Sequence, residues 1–229
     1  MPVRIRKADL HTAMFSVEAA AAQRLIDYSG LQVCQHRPGR AVVNLMLARY
    51  IDGDLGKYHE FGTCVMVNPP GSHARGWRAL GAAAAFIHHL PVDQSFTLEA
   101  GRTIWGFPKI MADFTIRDAG EFGYFGFDVG AEGAHIAGID FGRGVPVPSM
   151  FTSRPHVLRT YTYAGGTTRE VPWEMRGSGL RGRIGGAKLR LGDHRYAKEL
   201  ASLGLPKRAM VSGSVGDAQM SFGDAHPLS

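Results

Sequence analysis

Arg102-Thr103-Ile104-Trp105-Gly106-Phe107-Pro108-Lys109, followed by Ile110 and Met111, sets one lysine among bulky nonpolar neighbours. Burial in such a setting disfavours the charged form of an amine. An amine without its extra proton attacks a carbonyl and forms a Schiff base. Trp105 and Phe107 can wall a pocket, and Gly106 leaves room beside them. Pro108 fixes one backbone angle and restricts Phe107, so the chain approaches Lys109 rigidly. The bland alternative is a lysine at a strand edge that snorkels to water.

Working outward, strand patterns flank this run. Arg40–Tyr50 is apolar and partly alternating, and Tyr58–Val67 follows it after the turn Asp52-Gly53-Asp54-Leu55-Gly56. Downstream, Phe114–Asp118 and Glu121–Asp128 suit hairpin arms with a turn at Asp118-Ala119-Gly120-Glu121. Leu158–Tyr163 and Thr168–Val171 flank Ala164-Gly165-Gly166, a second hairpin signal, and Met210–Val215 closes the series. Helices are expected at Ala19–Tyr28, ended by Ser29-Gly30, at the alanine-rich Arg75–His89, at Asp93–Ala100 and at Tyr196–Leu203. Asn68-Pro69-Pro70-Gly71-Ser72 is a loop. The expectation is one predominantly β domain over residues 1–229, with short peripheral helices.

Composition narrows the function classes. The chain has 229 residues, 45% of them apolar, enough for a sizeable core. Its net charge of +6 is dispersed, without a nucleic-acid-binding module, so no nucleic-acid partner is expected. No apolar run reaches the roughly 20 residues that cross a bilayer, and the N-terminus lacks a signal-peptide pattern. Cys34 and Cys64 are too few for a disulfide scaffold. A cytoplasmic protein with reduced thiols and no membrane partner is expected.

No cofactor is expected either. Gly182, Gly185 and Gly186 lack the spacing of a phosphate loop. His88-His89 and Asp193-His194 belong to no readable metal motif, and routine surface or hydrogen-bonding roles suit them better. His59 projects away from Glu60 if the strand is regular. Glu60, in Tyr58-His59-Glu60-Phe61-Gly62, is the leading carboxylate, because a half-buried carboxyl suits proton transfer. Its bland alternative is a strand glutamate facing water. Glu99, just before the lysine run, is either a second carboxylate of the same cavity or a helix-surface group. Arg102 either attracts a substrate carboxylate or serves as a structural donor. Trp105, Phe107, Phe61 and Met111 are the candidate pocket wall.

The run GRTIWGFPKIMADF resembles the lysine segment of acetoacetate decarboxylase-like proteins, and KYHEFGTCVMV is similar to their glutamate strand. The stretch LRLGDHRYAKELASLGLPKRAMVSGSVGDAQMSFGD resembles the end of that fold, so the likeness spans most of Val17–Gly223. It implies a β-rich cone or barrel and an oligomer of identical subunits. It also implies a small carbonyl or keto-acid substrate, with Lys109 as Schiff-base lysine and Glu60 as an active-site glutamate. The chain departs from the decarboxylase itself at several points. Ile110 stands where a second lysine follows the first, and Asn44-Leu45-Met46 lacks the second glutamate. Arg6 is no secure counterpart of the family's N-terminal arginine, and the Glu60–Lys109 segment is longer. Three activities fit: decarboxylation of a β-keto acid, an aldol or dehydration reaction through the same iminium, and noncatalytic binding of a small acid.

Overall fold

The computed structural model describes residues 2–118, 125–148 and 156–228. In chain order the strands begin with β1 (Val3–Glu18), β2 (Gln35–Arg37), β3 (Arg40–Gly53), β4 (Tyr58–Val67) and β5 (Ala84–Val92). They continue with β6 (Lys109–Met111), β7 (Asp113–Asp118), β8 (Phe125–Ala131), β9 (Ala134–Phe141) and β10 (Val145–Pro146). The last are β11 (His156–Ala164), β12 (Thr167–Ser178), β13 (Arg181–Ile184), β14 (Ala187–Leu191), β15 (Val211–Phe222) and β16 (His226–Pro227). The α-helices are α1 (Ala19–Ile26), α2 (Trp77–Gly81), α3 (Ser95–Ala100) and α4 (Arg195–Ser202).

Seven strands close into a barrel. Neighbours run in the order β1, β3, β4, β5, β11, β12, β15, and β15 returns to pair with β1. Closure removes the exposed edges that an open sheet of this size would present. The pairs are antiparallel except β5 with β11. A second sheet, ordered β14, β9, β8, β7, packs beside the barrel.

Side-chain alternation along the strands sorts the apolar residues into two cores. Phe15, Leu45, Leu47, Phe61 and Val65 point out of the barrel and meet Phe127, Ile136 and Ile139 of the second sheet. Leu10, Tyr50, Tyr58, Leu90, Trp105 and Phe107 belong to the other core, within the barrel. Each fully buried large side chain contributes roughly 1.5–3 kcal/mol.

Several sequence expectations shift. The helix expected over Arg75–His89 is only α2, and Ala84–Val92 is the central strand β5, paired with β4, β11 and β6. Tertiary pairing overrides the helix propensity of its alanines. The 16-residue β1 was not anticipated, because two register shifts break its alternation between Ile5 and Leu10. Ala19–Tyr28 divides into α1 and a 3-10 turn over Asp27–Ser29. The final strand extends to Phe222. The hairpin turn at 119–121 and the arm as far as residue 124 lie outside the described residues. No helix among the described residues is long and apolar enough to cross a membrane.

Candidate active site

Lys109 opens β6, where it pairs with Leu90 of β5. The preceding chain carries it there tightly. Helix α3 starts with the Gln94 side chain accepting from Thr97 N and runs on into a π-helical turn over Gly101–Trp105. Gly106 ends that turn at φ 71°, in the left-handed region. A Cβ at Gly106 would also lie 2.6 Å from Ala164 Cβ, so both backbone and space select glycine. Thr162 Oγ1 donates to Gly106 O at 2.7 Å, and Trp105 Nε1 donates to Gly223 O at 2.7 Å. The turn is thereby tied to β11 and to the segment after β15.

The amine ends in a buried polar cluster. Lys109 is 3% exposed and Glu60 6%. Lys109 Nζ lies 2.7 Å from Glu60 Oε2 and donates to Thr97 Oγ1 at 3.1 Å. The second carboxylate oxygen, Oε1, accepts from Tyr50 Oη at 2.9 Å. The amine also sits 5.3 Å from the centroid of the Tyr58 ring, within cation–π range. Strand register explains the grouping. Tyr58 and Glu60 are two apart on one face of β4, and Tyr50 lies opposite Tyr58 on β3. His59, on the other face, pairs through Nδ1 with Asp93 Oδ2 at 2.6 Å.

Burial pushes the Tyr50 and Tyr58 phenols well above the ordinary tyrosine value, and the Glu60 charge adds to both. Both therefore stay protonated at neutral pH. Cys64, further along the same face of β4, is pushed up to about 12 by burial and then by Glu60.

The cluster faces a cavity of about 320 Å³ inside the barrel. Of the residues singled out from sequence, Lys109, Glu60, Trp105 and Phe107 line it together. The other four do not. Phe61 points to the opposite core, where its ring meets Phe127, as alternation next to Glu60 requires. Met111 and Glu99 are exposed. Arg102 is exposed and turns back on the chain, its Nε and Nη2 donating to Lys109 O at 2.9 and 2.7 Å. These contacts are of the structural-donor kind. Sequence reading missed Tyr50, Tyr58 and Thr97. The first two lie on strands that were recognised, and the pairing register that brings them to Glu60 is not readable along one chain.

Gly101 shows how closely the lysine is held. A Cβ there would lie 2.6 Å from Lys109 Cε and 2.7 Å from Cδ. Those separations are too short for real atoms, so the lysine stem occupies the space that the missing side chain leaves.

The whole chain, residues 1–229, matches the family model for acetoacetate decarboxylase. The chain belongs to the acetoacetate decarboxylase family. Among solved structures it is similar to the acetoacetate decarboxylase of Legionella pneumophila, with a TM-score of 0.73 and 17% identity over 100% of this chain and 88% of that one. The enduracididine biosynthesis enzyme MppR, in complex with pyruvate, gives a TM-score of 0.67 at 17% identity over 100% and 91% of the two chains. An acetoacetate decarboxylase-like enzyme from Sphingomonas wittichii RW1 gives 0.62 at 16% identity over 99% and 92%. At these identities the structural likeness speaks for the fold. No curated protein matches the chain by sequence.

One further group of ligating atoms belongs to no part of this cavity wall. His88 and His89 reach the same oxygen of Glu199 on α4, from Nε2 at 2.8 and 2.6 Å. A register irregularity between β4 and β5, where Thr63 faces His89 and Cys64 faces Ile87, leaves His88 as an extra residue. Such a bulge lets adjacent residues share a side. Their atoms are spaced as metal ligands would be, and Tyr28 Oη braces His88 Nδ1 at 2.9 Å. Two imidazole N–H groups donating to one carboxylate account for the same contacts. Burial lowers His89 to about 4, in keeping with a neutral ring. Of the surface and hydrogen-bonding roles expected for these histidines, the surface one does not hold, since both are buried, and Glu199 is the hydrogen-bonding partner that sequence reading missed.

Proposed function

We propose that this family member is a cofactor-independent carbon–carbon lyase that decarboxylates a β-keto acid through an iminium at Lys109. The observation that carries this reading is the 2.7 Å contact between the buried Lys109 and Glu60 at the wall of an apolar cavity. A proton passes from Nζ to Glu60 Oε2 along that contact and leaves the nitrogen lone pair free. The amine adds to the substrate ketone, and loss of water from the carbinolamine gives the iminium. The carbon–carboxylate bond then breaks, its electron pair moves into the iminium, and carbon dioxide and an enamine result. Glu60 gives the proton it took to the departing carbinolamine hydroxyl, and a second proton, taken up from solvent water through Glu60, goes to the enamine carbon. Hydrolysis of the new iminium frees the ketone product and restores the amine.

Tyr50 keeps Glu60 oriented by donating to Oε1. Thr97 fixes the amine from the other side. Carbon dioxide release across a panel of β-keto acids, lost in Lys109→Ala, is the expected result. No release above the spontaneous rate with any member would contradict the decarboxylase assignment.

An aldol or dehydration reaction is the second reading. The same enamine adds to an aldehyde instead of taking a proton. It is favoured by the run Asn44-Leu45-Met46, which holds no carboxylate where the decarboxylase resemblance calls for a second glutamate and which puts Asn44 and Met46 on the cavity wall. A related structure supports it: MppR has been solved with the condensation product of pyruvate and imidazole 4-carboxaldehyde. Deuterium uptake from solvent into a ketone methyl group without carbon dioxide release is its signature. Reversible ligand binding with neither reaction would point to the noncatalytic alternative.

A further inference from the structure

The cavity extends well beyond the amine. On β4 its wall takes Tyr58, Glu60, Cys64 and Met66. At about 3.3 Å per residue, Met66 lies about 20 Å along the strand from Glu60. Position 62, between them, is a glycine. A Cβ there would project among three wall residues, 3.6 Å each from Cys64 Sγ, Leu90 Cδ1 and Met46 Cε. The missing side chain opens the passage immediately past the Lys109–Glu60 pair.

Past Gly62 the wall is apolar and adaptable. It includes Met14, Met46, Met66, Ala85 and Ile87, and methionines fit varied apolar shapes. The polar pair at that level is internally engaged, with Thr12 Oγ1 donating to Asn44 Oδ1. Among the described residues, three charged ones line the cavity. Lys109 and Glu60 face each other, and Arg159 is solvent-exposed and 3.8 Å from Glu170. A volume of about 320 Å³ falls in the range of about 300–1,000 Å³ that holds drug-sized ligands. A keto acid of three or four carbons would leave most of it empty.

We propose that the substrate is an elongated carbonyl compound whose carbonyl carbon meets Lys109 and whose apolar aliphatic tail runs past Gly62 toward Met66 and Ala85. This inference rests on the Lys109 iminium reading for the position of the carbonyl, and on the cavity alone for the tail.

The experiment is borohydride trapping of the purified protein with acetone, 2-pentanone, 2-heptanone and 2-nonanone. Half-saturation is expected to fall with each added methylene, by up to about fourfold per methylene if the tail is fully buried. Gly62→Leu is expected to collapse the ratio between acetone and 2-nonanone, and Gly62→Ala to reduce it. Ala85→Leu, further along, is expected to weaken 2-nonanone more than 2-pentanone. It also serves as the second variant if Gly62→Leu does not fold. A flat ketone series, or a series that these variants leave unchanged, overturns the channel while leaving the iminium intact. Binding of 2-nonanol and 2-propanol, which cannot form an iminium, separates the two ideas. If no ketone is trapped but 2-nonanol binds more tightly than 2-propanol, and Gly62→Leu removes the difference, the channel stands and the iminium reading fails.

Discussion

Lys109 Nζ and Glu60 Oε2 stand 2.7 Å apart, with both side chains closed off from solvent. Removing one member of a buried pair leaves the other without its counter-charge, at a cost of about 3–5 kcal/mol. Lys109→Met is therefore expected to destabilise the fold by about that amount. Lys109→Met combined with Glu60→Gln is expected to recover a large part of it, because no buried charge remains. Chemical denaturation of the wild type, both single variants and the double variant measures the coupling. Additive losses would mean that the two groups are not coupled.

Glu60→Gln keeps an acceptor for Tyr50 but cannot take a proton. Turnover is expected to fall by about 10²–10⁴, the usual contribution of a positioned acid–base group. Steady-state kinetics with a β-keto acid substrate reads the loss. Unchanged turnover would remove Glu60 from the proton path.

Gly101→Ala is expected to abolish adduct formation while the chain still folds. Its Cβ would overlap Lys109 Cε and Cδ, at 2.6 and 2.7 Å, and the flexible lysine stem is the part that yields. Circular dichroism checks the fold, and mass spectrometry of borohydride-reduced samples checks the amine. Full trapping in Gly101→Ala would mean that the lysine works from another position.

Arg102 holds Lys109 through its carbonyl oxygen and stands outside the cavity wall. On the iminium reading proposed above, it acts as a positioning residue. Arg102→Ala is expected to lower kcat with little change in KM, and Arg102→Lys to restore part of it. A rise in KM confined to substrates bearing a carboxylate would instead make Arg102 the carboxylate anchor.

Stability is expected to plateau between about pH 6.5 and 9. Cys64, Tyr50 and Tyr58 all have raised values in the folded chain, against ordinary values of 9.0 and 10.0. Folding thus holds protons that the unfolded chain releases, and that stabilisation is lost as pH rises above 9 to 10. On the acid side, burial lowers His11 and His89 to about 4 from 6.5. The unfolded chain there binds protons that the folded chain refuses, so stability falls as pH drops from 6.5 toward 4. Each group contributes a slope of at most about 1.4 kcal/mol per pH unit. Thermal melts across pH 4–11 give the profile, and His11→Phe is expected to flatten its acid limb.

The parts of this architecture that were legible in the sequence are those set by local pattern. β4, a mostly apolar run bounded by turn residues, appears with the expected bounds, and the glycines after α1 and between β11 and β12 mark their turns. β5 was not legible. Its alanines read as helix, and only its pairing with β4, β11 and β6 makes it a strand. The site divides the same way. The lysine run and Glu60 stand out as chemistry in apolar surroundings. Tyr50 reaches Glu60 through strand register, Thr97 reaches Lys109 through the path of α3, and Phe61 leaves the cavity through side-chain alternation. His88 and His89 share Glu199 through a bulge that nothing in their neighbouring residues announces.

The most direct test is borohydride reduction in the presence of a ketone, followed by peptide mapping. Acetone and 2-nonanone cover both ends of the cavity's capacity, and acetoacetate and pyruvate add the acids. The prediction is a reduced secondary-amine adduct on the Lys109 peptide that is absent from Lys109→Ala. An adduct on a different lysine, or none with any of these carbonyl compounds, would contradict the central role given to Lys109.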